Sequence, residues 1–219
     1  SPVQWSRILG LVGHQEPRGN EDADADGNGD VKNPRPTVVL DQAAGDVKAS
    51  LTRESAGDPP EPEVSTGEIM LRVGASALNH TDLNLRDDSS YNGHLPRILG
   101  LDVSGEIVNI SPTANTTLKV GDRVLLDNRH KCGSCDYCRQ GNDQYCSNQR
   151  RYGVDLDGGH AEYITASCAN AYLIPHSMSF SEAAALPIAA HTAWHCLITQ
   201  GHIQPWEDVL IQAAGSGVG

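Results

Sequence analysis

Residues 131–146, KCGSCDYCRQGNDQYC, place four cysteines within a short stretch: Cys132, Cys135, Cys138 and Cys146. The chain holds two others, Cys168 and Cys196, and both are isolated. The spacing C-x2-C-x2-C-x7-C makes tight steps that let a turn wrap one ion, and Gly133, Ser134 and Gly141 permit the bends. Thiolates suit Zn²⁺, which structural sites hold with four ligands at about 2.3 Å. Four sulfurs close the shell and leave no position for water or substrate. Such a site shapes a lobe and performs no catalysis. An iron–sulfur cluster is chemically compatible with four thiolates. Zinc is favoured by the usual preference of tetrahedral S4 sites. Disulfides are disfavoured by the adjacent C-x2-C pairs and by a reading of the chain as intracellular. Cys168 and Cys196 read as small core residues.

The 219 residues, 38% of them hydrophobic, suffice for one sizeable core and part of another. No apolar run approaches the roughly 18 residues of a membrane span, and the chain reads as soluble and cytoplasmic. The net charge of −12 argues against a nucleic-acid or anionic-membrane surface, since both need a basic footprint. Asp and Arg dominate over Glu and Lys; a high-salt habitat and a GC-rich genome both produce that bias.

Residues 1–36 lack apolar periodicity and are rich in Asp, Gly, Asn and Pro, so they read as a poorly ordered extension. From Thr37 the pattern is β. TVVL and DVKASLTR read as short strands, and EIMLRVGASAL alternates Ile69, Leu71, Val73 and Ala75 against Met70, Arg72, Gly74 and Ser76. GLDVSGEIVNI, GDRVLL, GGHAEYITAS and AYLIP continue as strands, giving a mostly β domain over 37–178. At Ser179 the character changes. Ser179 and Glu182 form a capping box ahead of an alanine-rich helix, and Pro187 breaks it from a second helix. DVLIQAA then reads as a short buried strand running into AGSGVG.

This order of segments resembles the medium-chain dehydrogenase/reductase superfamily, the zinc alcohol dehydrogenase-like family, over about Thr37–Gly219. The resemblance implies a mostly β GroES-like domain with a zinc lobe at 131–146. It also implies that 179–219 supply the linking helices, first strand and Gly turn of an α/β Rossmann domain. It further implies one structural zinc, an NAD or NADP cofactor, a small-molecule substrate and a homo-oligomer when intact.

In zinc-dependent members the catalytic metal has three ligands, and the matching positions here are Asn79, Leu101 and Ile188, with Asp102 at the neighbouring acid. All three expected ligands are replaced, two of them by aliphatic residues. His80, Asp102, His191 and His195 lie in the same segments. His191 and His195, at i and i+4, share a helical face and read as partly buried helix residues or as lining of the domain cleft. NHTDLNLR instead looks like the N-x-x-D-x-x-x-R pattern of quinone oxidoreductase-type relatives, matched by Asn79, Asp82 and Arg86. By that resemblance Asn79, Thr81 and Asp82 form the catalytic pocket. Thr81 matches a proton-relaying hydroxyl, and it also reads as a helix N-cap before DLNLR.

The resemblance assigns His80, Gly215, Ser216, Gly217, Val218 and Gly219 to the cofactor. The turn follows the A-x-x-G-x-G variant, in which backbone approaches a pyrophosphate at a helix N-terminus. The acid that would meet the ribose, about 20 residues on, lies beyond Gly219, so the chain reads as a portion of a larger enzyme. The reading that follows is an NAD(P)-dependent oxidoreductase transferring hydride to an enone, quinone or carbonyl without catalytic zinc. The alternatives are a zinc-dependent alcohol dehydrogenase and, from another class, a non-catalytic zinc-stabilised binding module.

Overall fold

The structure is a computed structural model that describes residues 38–40, 51–53, 62–87 and 96–219. The extension expected over 1–36 lies outside the described residues, as does the first part of the second expected strand. Among the described residues the domain is built from ten strands. These are β1 (Val38–Leu40), β2 (Leu51–Arg53), β3 (Glu68–Ala77), β4 (Arg97–Ile98) and β5 (Asp102–Ile110), followed by β6 (Arg123–Leu126), β7 (Arg129–His130), β8 (Arg150–Arg151), β9 (Tyr163–Ser167) and β10 (Ala171–Leu173). The main sheet has the order β10-β6-β5-β3-β9, with every pair antiparallel. A small sheet runs β2-β1-β4, and β7 pairs with β8 at the neck of the cysteine lobe.

Alternation explains most of this sheet. Ile69, Leu71 and Val73 of β3 join Val103, Ile107, Val124, Leu126, Ile164 and Ala166 in one core. The expected polar phase of β3 is incomplete, because Met70 is also buried. Register shifts at Met70/Leu71 and Val73/Ala75 turn the strand locally. β6 is buried on both faces. Val124 and Leu126 enter the main core, while Leu125 packs with Ile174, Met178 and Ala183 beneath the helices. A strand covered on both sides reads as a continuous apolar run, as VLL does.

Gly105 lets β5 approach β3. A Cβ there would stand 2.3 Å from the Arg72 carbonyl oxygen. The segment 158–160, expected as strand, instead threads against 98–100. Gly158 and His160 N–H donate to the Ile98 and Leu99 carbonyls at 2.9 Å, so β9 begins only at Tyr163.

Among the described residues four helices complete the architecture: α1 (His80–Asp87), α2 (Asp136–Arg139) in the lobe, α3 (Phe180–Ala184) and α4 (Pro187–Trp194). The capping box at Ser179 and Glu182 is formed, and Pro187 sits at the start of α4 as expected. Arg123 ties the linker before α3 to the sheet. Its guanidinium donates to Met178 O at 2.7 Å and His176 O at 3.1 Å and lies 4.4 Å from the Phe180 ring centre. After α4 a π-helical stretch covers His195–Gln200. The expected strand at DVLIQAA is absent: residues 208–214 form no strand, and Leu210 is 90% exposed. A buried strand of a parallel sheet needs ladder partners and covering helices, and none of the described strands pairs with this segment.

A four-cysteine lobe and a buried polar cluster

Two turns with left-handed glycines, Gly133 (φ +70°) and Gly141 (φ +77°), fold the lobe back on itself around α2. Cys146 is brought in by its N–H donating to Asp143 O at 3.0 Å. Asp143 pairs with Lys131 across the lobe base. Burial opposes the Asp143 charge, but Lys131 outweighs it and holds the carboxyl below its usual range. The four Sγ atoms lie within 4.8 Å of one another. Cys132 Sγ stands 3.9 Å from Cys138 Sγ and 3.5 Å from Cys146 Sγ. A tetrahedron of sulfurs each about 2.3 Å from a metal has edges of about 3.8 Å, and the observed separations straddle that value. All four cysteines are free, and these distances exceed the roughly 2.05 Å of a disulfide. Backbone N–H groups of Ser134 and Cys135 stabilise the Cys132 thiolate, bringing it down to about 6. The donor set therefore fits a structural zinc. Among the described residues the four cysteines are the one His/Cys/Asp/Glu grouping with this compactness.

The second cluster lies where α1, β3, β5 and α4 meet. Asp102, 3% exposed at the start of β5, accepts from Asn79 Nδ2 at 2.9 Å and from Ile188 N–H at 3.0 Å. One carboxylate thus joins all three segments singled out in the sequence. Burial is the main force on Asp102. It pushes the carboxyl up to about 6, against the hydrogen bonds from Asn79 and Ile188. Asp82 accepts from Asn79 N–H at 2.8 Å and Gly100 N–H at 3.1 Å. α1 starts at His80, so Asn79 precedes it and Asp82 closes its first turn. Thr81 lies inside the helix, which corrects its reading as the N-cap.

Two residues of this cluster were missed in the sequence: Ser76 and His160. Ser76 Oγ donates to Asp102 O at 3.0 Å and meets His160 Nδ1 at 2.9 Å. No spacing rule announces a histidine after two glycines. Leu101 is buried and, like Ile188, offers no donor atom to a metal. A catalytic zinc does not fit these side chains. His80 lies on the exposed start of α1. His191 packs on Arg129, whose Nη2 is 2.9 Å from Nδ1, while His195 lies 3.4 Å from the Gln200 amide. Neither histidine joins Asp102. Arg86 belongs to α1, and its side chain lies outside the described residues. Gly215–Gly219 form an exposed bend in which Gly219 N–H donates to Ser216 Oγ at 3.1 Å.

Comparison with known proteins places the fold and the lobe in one class. The pattern of the Alcohol dehydrogenase GroES-like domain matches residues 65–176. The chain belongs to that family, in the zinc-type medium-chain dehydrogenase/reductase superfamily. It is 31% identical over 168 residues to the NAD-dependent alcohol dehydrogenase of Sulfolobus acidocaldarius, covering 74% of this chain and 48% of the relative. It is 38% identical over 157 residues to an alcohol dehydrogenase of Geobacillus stearothermophilus, covering 71% of this chain and 46% of the relative. The solved cobalt- and zinc-bound thermostable alcohol dehydrogenase from Pyrobaculum aerophilum superposes with a TM-score of 0.67 at 31% identity, covering 73% of this chain and 48% of that one. The chain thus spans about half the length of the curated relatives it matches.

Proposed function

We propose that this chain supplies the catalytic-domain half of an alcohol dehydrogenase-like oxidoreductase that interconverts an alcohol and a carbonyl with NAD as hydride partner. The observation that carries this reading is the pair of relatives named alcohol dehydrogenases, at 31% identity over 168 residues and 38% over 157. They favour alcohol chemistry over the enone or quinone reduction suggested by the Asn79–Asp82–Arg86 pattern. Zinc in the Cys132, Cys135, Cys138 and Cys146 lobe would hold the lobe's shape and take no part in the reaction. No step is assigned to a second zinc, because Leu101 and Ile188 cannot ligate one.

NAD, when bound, accepts the hydride from the carbinol carbon. The residues of this chain do the rest. Asn79 spends one amide N–H on Asp102 and keeps its other polar atoms to orient the substrate oxygen. Thr81 carries the hydroxyl that relays the departing alcohol proton, passing its own proton on to solvent as it accepts the substrate's. Asp82 fixes Asn79 by its backbone N–H. His80 and the Gly215–Gly219 turn would hold the cofactor, the turn by presenting backbone to the pyrophosphate. The complete protein is a soluble homo-oligomer in this reading.

The test is NADH formation by the full gene product against primary and secondary alcohols, with enones and quinones assayed alongside NADH. Alcohol oxidation at a rate above enone and quinone reduction supports the reading. Reduction of enones or quinones with no alcohol oxidation overturns it. Gly217→Val should weaken NAD binding measured by calorimetry and leave the zinc content unchanged; unaltered affinity would remove the phosphate assignment.

A further inference from the structure

His160 is nine-tenths buried, its side chain 9% exposed, and its Nε2 is enclosed without a hydrogen-bond partner. Its other nitrogen has a defined role. Ser76 Oγ has one proton, and that proton goes to the Asp102 carbonyl. The contact of 2.9 Å between Ser76 Oγ and His160 Nδ1 is therefore made by Nδ1–H donating to the hydroxyl. On that pattern the neutral ring is assigned the Nδ1–H tautomer. Its bare Nε2 lone pair then faces Asp82 Oδ1 at 3.9 Å, two acceptors held just beyond hydrogen-bond reach.

Asp82 is already engaged through both oxygens. Oδ2 takes the Asn79 N–H and Oδ1 takes the Gly100 N–H. Those two donors begin the segments that meet at the Asn79–Asp102 hydrogen bond. We infer that His160 is a proton-operated positioning residue: a proton taken up on Nε2 turns it into a donor to Asp82 Oδ1, and the new contact competes with the Gly100 N–H that this oxygen now holds. Neutral His160 leaves the 100–102 segment and Asn79 fixed, and the imidazolium loosens the Gly100 tether.

The groups around the ring agree with this. Asp82 of α1 is the charged group at Nε2. Ser76 of β3 and the Asp102 carbonyl of β5 lie at Nδ1, with the Asp102 carboxylate turned away to Asn79 and Ile188. Gly100 passes so close that a Cβ there would be 2.7 Å from His160 N and Nδ1, which leaves the ring little freedom to flip. Burial lowers the His160 titration below its ordinary range, and Asp82 opposes that shift. The positioning role in catalysis rests on the proposed alcohol chemistry; the tautomer and its coupling to Asp82 do not.

The experiment is nitrogen NMR of the histidine-labelled 219-residue chain, with His160 assigned by the signals lost in His160→Gln. At pH 8 the Nδ1 signal should be pyrrole-like and the Nε2 signal pyridine-like. On acidification Nε2 should protonate below the usual histidine midpoint of about 6.5, and the Gly100 amide should shift with the same midpoint. Asp82→Asn should lower that midpoint further, by about one pH unit or more. Ser76→Ala should release the ring toward the Nε2–H tautomer. An Nε2–H ring in the unmutated protein at pH 8, or a Gly100 amide that does not follow His160, overturns the inference. In the full gene product, kcat for alcohol oxidation should carry an acid limb at the His160 midpoint that disappears in His160→Gln. If no alcohol is oxidised while the NMR result holds, the proposed reaction falls and the proton-operated contact stands.

Discussion

Replacing Asp102 by asparagine should change how stability depends on pH more than stability itself. The native carboxyl titrates at about 6 against an ordinary value of 3.8. Native protein therefore holds a proton that the unfolded chain releases between pH 3.8 and 6. A group with a raised native pKa contributes stability at low pH and loses it as pH rises through that window. The difference of 2.2 units corresponds to about 3 kcal/mol at 1.36 kcal/mol per unit. Asp102→Asn keeps the shape and removes the titration. Its oxygen can serve Ile188 N–H, and a flip of the Asn79 amide can supply an acceptor for the new NH₂, so the fold is retained. Urea unfolding of both proteins at intervals from pH 3.5 to pH 7.5 gives the comparison. Histidines and thiols that also titrate there cancel in the subtraction. The stability of the variant relative to the parent should rise by about 3 kcal/mol across the series. A difference that stays flat with pH would show that Asp102 is not held against ionisation and would remove the argument from burial.

Other outcomes follow from the same geometry. The purified chain should carry one zinc by elemental analysis, and Cys135→Ser should lose it together with amide-exchange protection across 131–146, while the β3–β5 protection persists; full zinc retention would show that the thiols are not its ligands. Gly158→Ala should destabilise the domain by about 3 kcal/mol, because its Cβ would meet Gly100 O at 2.3 Å and Leu99 O at 2.6 Å, both backbone atoms. An unchanged denaturation midpoint would mean that the 98–100 and 158–160 segments are not packed as described.

The parts legible in the sequence were those governed by local rules. Alternation in β3, the capping box at Ser179, Pro187 at a helix start and the cysteine spacing each depend on neighbours a few residues away. The three segments carrying Asn79, Asp102 and Ile188 were also identified, and one carboxylate does join them. Legibility failed where distant chain decides. Met70 is buried although alternation assigns it to the polar face. The GGH segment pairs with 98–100 rather than extending β9, because contacts made 60 residues away fix it. His160 enters the cluster by the same route, and its partners Ser76 and Asp82 belong to other elements. Thr81 shows a subtler failure. Threonine is a good cap in isolation, but Asp82 binds the Asn79 N–H and so sets the helix start two residues earlier than Thr81 would. The segment 208–214 has the composition of a buried strand, and composition cannot provide the partners that a ladder requires.

The pairing of β3 with β9 joins Glu68 to Ser167, and that long reach bears on how the domain assembles in time. Sheets that depend on such distant pairings fold slowly, since chain closure precedes the contacts that reward it. The cysteine lobe sits inside this loop as a short detour. Pinching off its fifteen or so residues shortens the effective closure only slightly, and with a logarithmic dependence on length the entropy saved is about 0.1–0.2 kcal/mol. Metal in the lobe is thus a poor accelerator of sheet closure. Its influence falls on the reverse journey, where a lobe locked after the sheet has formed slows the loss of the native state. The ion acts as a ratchet on unfolding, and the rate at which the sheet first closes belongs to the strands.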